Sequence, residues 1–254
     1  MNRVAFWQAS QTATEEISQS FEPSASFDCR DLAKAVFVPL RYEASHAYPL
    51  VVWLHDEGER ESAMRRMIPR ASLRNFVAVG VRGTCSLGND CGYTWEQTTE
   101  GVHAATGIVM SCIQAMKERY HVEPSNVFIA GTGAGGTMAL RIAHDHADRF
   151  AGCASLGGRF PGQLRPLRAI NRSRGLEVMI AHSEAFIDYS TQQFCDDVRL
   201  LFCAGSRILV RQHEVADDHF KPMLVDLNRW LMGIVTKQFL FDTQAILLGA
   251  NDRN

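Results

Sequence analysis

The sequence predicts an α/β fold: a mostly parallel sheet covered by helices on both faces. Three observations carry this. Apolar runs of strand length alternate with helix-periodic segments along most of the chain. Several of those runs are continuously apolar rather than alternating, as strands buried on both faces require. The 254 residues are 46% hydrophobic and 21% charged, enough for one large domain.

In chain order, residues 1–30 are polar and irregular and read as an N-terminal extension. The domain is expected over 31–236. Its strands are expected at 34–41 (KAVFVPLR), 49–55 (PLVVWLH), 75–81 (NFVAVGV), 126–131 (NVFIAG), 150–157 (FAGCASLG), 176–182 (LEVMIAH) and 207–214 (RILVRQHE). Helices are expected near 60–72, 99–120, 135–147, 190–203 and 220–236. Within 99–120, apolar residues at 105, 108, 109, 112, 113 and 116 share one helical face, and Lys117 and Arg119 suit the negative end of the dipole. Residues 157–175, rich in Gly, Pro and Arg, read as a long surface connection. The helix near 236 is followed by a tail, 237–254, whose Phe239, Leu240, Phe241, Ile246, Leu247 and Leu248 need cover from this core or from a second copy of the chain.

Composition excludes some functions. A net charge of −2 supplies no electrostatic reason to expect nucleic acid or an anionic membrane surface. No run of 18 apolar residues suggests a membrane span, and the first 20 residues lack a signal-peptide core. Seven cysteines, an odd number without C-x-x-C spacing, favour reduced thiols and a cytoplasmic setting. Nothing calls for a cofactor. The group His213, Glu214, Asp217, Asp218 and His219 has no recognised ligand spacing, so no metal is expected.

The stretch NVFIAGTGAGGTMALRIA, 126–143, joins a strand to a helix through a glycine-rich turn. Gly131, Gly133 and Gly136 fit G-x-G-x-x-G, a dinucleotide fingerprint. That motif wants an acidic residue at the end of the next strand, which here closes on Ser155 and glycines. Gly131 and Gly135 also fit the nucleophile elbow G-x-S-x-G, with Gly133 in the serine's place.

Surrounding motifs favour the elbow. AYPLVVWLHDEGE (47–59), RGTCSLGNDCGYTWEQ (82–97), NVFIAGTGAGGTMALRIAHDHADRFAGCASLGG (126–158) and EVADDHFKPMLVDLNRWL (214–231) follow one another. Together they resemble the α/β-hydrolase superfamily, nearest to its phospholipase/carboxylesterase and feruloyl-esterase-like branch. The resemblance spans about 34 to 235. It implies that LHDEG corresponds to a His-Gly-x-Gly oxyanion strand, that GTGAGGTMA is the elbow, and that His219 holds the position of the catalytic base.

Mapped onto that family, three parts of the machinery are changed. The nucleophile position is Gly133, which has no side chain. The acid position is Phe186, with Asp188 two residues later and Glu184 two earlier as possible substitutes. In the oxyanion loop, Asp56 replaces the glycine after His55, so the donors would be the backbone amides of Ala134 and of the Asp56–Glu57 segment. Thr132 and Thr137 are neighbouring hydroxyls, but an elbow projects only its central residue. Asp56 either opposes the charge an oxyanion hole must hold, points to solvent, or caps the helix expected near Glu59. The pocket is expected around His55, Gly58, Trp95, Gly133, Ala134 and His219.

The expectation is therefore a hydrolase-fold protein with a degenerate triad, binding an ester-like or acid small molecule or a partner. The alternatives are an active ester hydrolase rearranged around His219, with Asp188 or Asp217 in support, and a nucleotide site at the glycine turn. Glycine at 133 should relieve the strain of the elbow, since it accepts positive φ without steric cost.

Overall fold

The computed structural model describes residues 33–160, 174–214, 218 and 220–251. Among the described residues the nine strands are β1 (Lys34–Phe37), β2 (Tyr48–Leu54), β3 (Val77–Val81), β4 (Cys85–Ser86), β5 (Tyr93–Thr94), β6 (Val122–Thr132), β7 (Gly152–Leu156), β8 (Glu177–Ser183) and β9 (Arg207–His213). The helices are α1 (Met64–Ala71), α2 (Thr99–Arg119), α3 (Gly133–Asp145), α4 (Thr191–Cys203) and α5 (Phe220–Asn251). Short 3₁₀ turns at Glu61–Ala63 and Ala147–Arg149 precede α1 and follow α3.

Seven strands form one sheet in the order β1-β3-β2-β6-β7-β8-β9, and β4 and β5 form a separate small hairpin. Every neighbouring pair in the large sheet is parallel except β1 with β3. All seven expected large-sheet strands are present, with ends shifted by a few residues.

Each central strand feeds two cores because successive side chains point to opposite faces. From β2, Leu50, Val52 and Leu54 join one cluster, with α2, α3 and α4. Val51 and Trp53 join the other, with α1 and α5. All seven residues of β2 are buried, which explains its unbroken apolar sequence.

The chain runs from β2 outward to β3, then returns to the other side of β2 to lay down β6. This reversal leaves a crevice at the C-terminal ends of β2 and β6, the topological switch point at which open α/β sheets bind ligands. His55 and Asp56 leave β2 there, and Gly133 leaves β6 there.

Three expectations are corrected. Helix α3 starts at Gly133 rather than 135, so the glycine turn is already helical. Residues 82–97, where no strand was expected, contain the β4–β5 hairpin, whose strands are too short to show periodicity. Helix α5 does not end near 236: it continues to Asn251, so the boundary drawn between domain and tail falls inside one helix. No Pro follows Thr236 and no Gly intervenes before Gly249, so nothing local stops it. The N-terminal extension and most of the 157–175 connection lie outside the described residues.

Candidate active site

The elbow geometry is present. Gly133 has φ of +46°, in the left-handed region where glycine carries no Cβ penalty. Thr132 before it is extended, at φ −108° and ψ 145°, and forms no side-chain cap. Gly135 is required for a different reason: a Cβ there would run into the carbonyls of Leu54 and His55, so the helix could not approach the end of β2 so closely.

The missing cap of α3 comes from Asp56. The Ala134 N–H donates to Asp56 Oδ1 over 2.9 Å, across 78 positions of sequence. The Glu57 N–H donates to the same oxygen over 2.7 Å. The hydrolase resemblance assigns the oxyanion hole to the Ala134 amide and to an amide of the Asp56–Glu57 segment. A carboxylate oxygen of the chain itself accepts from Ala134 at the helix N-terminus and from Glu57 in the loop, in two charge-assisted bonds. The same carboxylate fills the space above Gly133: a Cβ built there would lie far inside contact distance of Oδ1, Oδ2 and Cγ. Asp56 therefore does not cap a helix near Glu59, as one expectation had it. It caps α3.

The loop that presents Asp56 is braced on several sides. His55 is fully buried. Its Nδ1–H donates to the Asp56 carbonyl at 2.7 Å, and its Nε2 accepts the Gly83 N–H at 2.9 Å, which fixes a neutral ring. Burial lowers its pKa below 6.5, against the opposing pull of the Asp56 carbonyl and nearby Glu59, Glu61 and Asp56 charges. The Trp95 indole N–H donates to the His55 carbonyl at 2.8 Å. Gly58 N–H donates to Tyr93 O at 3.1 Å, and Asp56 N–H to Glu59 Oε2 at 3.2 Å. Glu59 in turn pairs with Arg66 at 2.7 Å.

A cleft of about 810 Å³ opens above this point. Asp56, Gly133 and Ala134 contribute to it, as do Trp95, Phe186 and Tyr189. His55 and Gly58, expected in the pocket, do not line it: His55 is buried behind Asp56, and Gly58 turns outward to the hairpin. They position the loop instead.

Where the family's acid is expected, the Phe186 ring packs across Gly157, whose Cβ would meet it at 2.6–2.8 Å. It also lies 5.8 Å from the Phe220 ring and 6.4 Å from that of His182, centroid to centroid. Asp188 is exposed on the cleft wall. His219 and Asp217 lie outside the described residues. Thr132 is fully buried, and the Thr137 hydroxyl donates to Arg159 O at 2.9 Å, so neither hydroxyl replaces the nucleophile. The dinucleotide reading also meets an obstacle, because the Ala134 amide at the helix start is already bound to Asp56.

Sequence reasoning missed the far wall. Asp197 Oδ2 accepts the Phe160 N–H at 2.6 Å and the Tyr189 hydroxyl at 2.8 Å. Burial raises the Asp197 pKa, opposed by these two donors and the Arg159 charge, and burial also pushes up the Tyr189 phenol. Only the capping box at the start of α4, Ser190 with Gln193, was a local signal near this cluster.

Known proteins resemble this chain in sequence or in fold. Residues 74–160, from just before β3 past the end of β7, match the prolyl oligopeptidase family model, well under half of the chain. NocK of Nocardia uniformis subsp. tsuyamanensis, a protein described as an esterase, is 46% identical over 127 residues; the match covers 46% of this chain and 36% of that one. The Bacillus cereus carboxylesterase structure superposes with a TM-score of 0.60 at 16% identity, over 80% of this chain and 95% of that one. A ferulic acid esterase from Anaeromyces mucronatus, in complex with ferulic acid, superposes with a TM-score of 0.57 at 12% identity, over 78% and 83%. The parallel sheet and its crevice agree with these similarities: the chain has the α/β-hydrolase fold, with an architecture similar to that of carboxylesterases.

Proposed function

We propose that this chain is a pseudo-esterase: it keeps the hydrolase cleft as a binding site for a small molecule and does not turn over esters by the serine route. One observation supports this above the others. The Asp56 carboxylate takes both amides of the oxyanion hole and fills the room a nucleophile on residue 133 would need.

Two costs combine against acyl transfer. Without a side chain at 133 there is no covalent route. Enzymes stripped of their nucleophile still retain roughly 10³–10⁴-fold over water from the hole and from binding. Here that residue is opposed as well, because a substrate carbonyl would have to displace a carboxylate, and the developing negative charge would sit beside it.

The test is an assay of the purified chain against short and medium p-nitrophenyl esters and feruloyl esters. The expected rate is that of buffer plus non-specific protein. Turnover in the ordinary enzyme range, roughly 1–10³ per second, abolished by His219→Ala, would replace this reading with a rearranged hydrolase.

A further inference from the structure

The chemical class of the ligand follows from which polar groups in the cleft remain available; this rests on the binding reading above. Five donors of the residues lining the cleft are already used. The Ala134 and Glu57 amides bind Asp56, the Trp95 indole N–H binds His55 O, the Thr137 hydroxyl binds Arg159 O, and the Tyr189 hydroxyl binds Asp197. The Gln97 side-chain amide nitrogen remains, as does the Arg159 guanidinium, whose charge already favours ionised Asp197.

Acceptors are in the opposite state. Asp56 Oδ1 is saturated, but Oδ2 accepts no hydrogen bond from any described residue, and it belongs to a half-buried carboxylate of the cleft. Glu57 and Asp188 add exposed negative charge at the rim. Trp95 and Tyr189, each 3% exposed, edge the cleft with their polar ends committed, and the half-buried Phe186 ring is the aromatic surface among the three. Ring faces attract cations and exclude water from an apolar body.

An esterase floor presents amide donors at a helix N-terminus and attracts an oxygen that is gaining negative charge. Asp56 reverses that preference by placing a full negative charge over the same two donors. We propose that the cleft binds a cationic amine with an aromatic or alkyl body, its ammonium donating to Asp56 Oδ2 and its body lying against Phe186, beside the edges of Trp95 and Tyr189.

The experiment compares two probes of one shape, 2-phenylethylammonium and 3-phenylpropanoate, by calorimetry and thermal shift on the full chain at pH 7.5. The amine is expected to bind saturably and raise Tm, and the acid to do neither at the same concentration. Asp56→Asn keeps an oxygen for the two amides and removes the charge; it should weaken the amine about tenfold, the loss expected when a charge-assisted bond becomes neutral. Equal or tighter binding of the acid overturns the proposal, as does binding of neither probe or amine affinity unchanged in Asp56→Asn. Should that variant fail to fold, the amine–acid comparison on the unmodified chain still decides. Ester turnover measured on the same sample would instead sink the pseudo-esterase reading, so the two failures are separable.

Discussion

Asp56 Oδ1 lies 2.9 Å from the Ala134 amide nitrogen, and the same carboxylate fills the space a β-carbon on Gly133 would need. The two substitutions relative to the hydrolase pattern are thus complementary in space. Glycine at 133 makes room for the carboxylate, and the carboxylate satisfies the helix terminus that the elbow exposes.

Gly133→Ser should therefore destabilise the fold by about 1–3 kcal/mol, from positive φ and from the collision with Asp56. Urea unfolding of the single variants and of the Asp56→Gly, Gly133→Ser pair forms a double-mutant cycle. Removing Asp56 should cost less, or should stabilise, when serine is already present, with a coupling on the order of 1 kcal/mol. Additive losses would mean that the two positions do not share the space.

Asp56→Ala should expose an anion site. The Ala134 amide at the start of α3 and the Glu57 amide of the facing loop would lose their acceptor, and millimolar acetate should raise the Tm of this variant while leaving that of the unmodified chain unchanged. An acetate effect of equal size in both proteins would count against Asp56 as the occupant of the hole.

Much of this arrangement was legible in the sequence, for identifiable reasons. The large-sheet strands are apolar runs buried on both faces, so they stand out, and the four ordered motifs located the elbow at 131–135. The direction of the Asp56 carboxylate was not legible. It is set by Trp95, Gly83 and Tyr93 bracing the 55–58 loop from positions 25 to 40 residues away, at distances no local pattern records. Tyr189, Asp197 and Phe160 meet across the chain in the same way. Helix α5 ran past its expected end because a change from apolar to mixed composition is no helix stop without Gly or Pro.

Stability should fall as pH drops from 6.5 towards 5. His55 and His144 are buried, and burial lowers both pKa values from 6.5. The unfolded chain then binds more protons than the folded one below about pH 6.5. Their contribution is complete above that pH and is lost as pH falls towards the folded values. Each histidine should cost up to about 1.4 kcal/mol per pH unit in this window. Urea unfolding at pH 8, 7, 6 and 5 checks this, and His144→Phe should flatten the slope.

Phe186→Ala should cost about 1–2 kcal/mol, less than a core phenylalanine because the ring is only half-buried. It should also enlarge the cleft over Gly157, read as tighter or broader binding of bulkier aromatic amines. An unchanged ligand profile would remove Phe186 from the wall of the site.

The most direct measurement of the central claim is the backbone amide resonance of Ala134 in a ¹H–¹⁵N spectrum. A strong bond to a carboxylate should shift its proton downfield in the unmodified chain. In Asp56→Ala it should move upfield, and it should return when acetate is added. An Ala134 amide that does not respond to the loss of Asp56 would contradict the occupied oxyanion hole and the pseudo-esterase reading built on it.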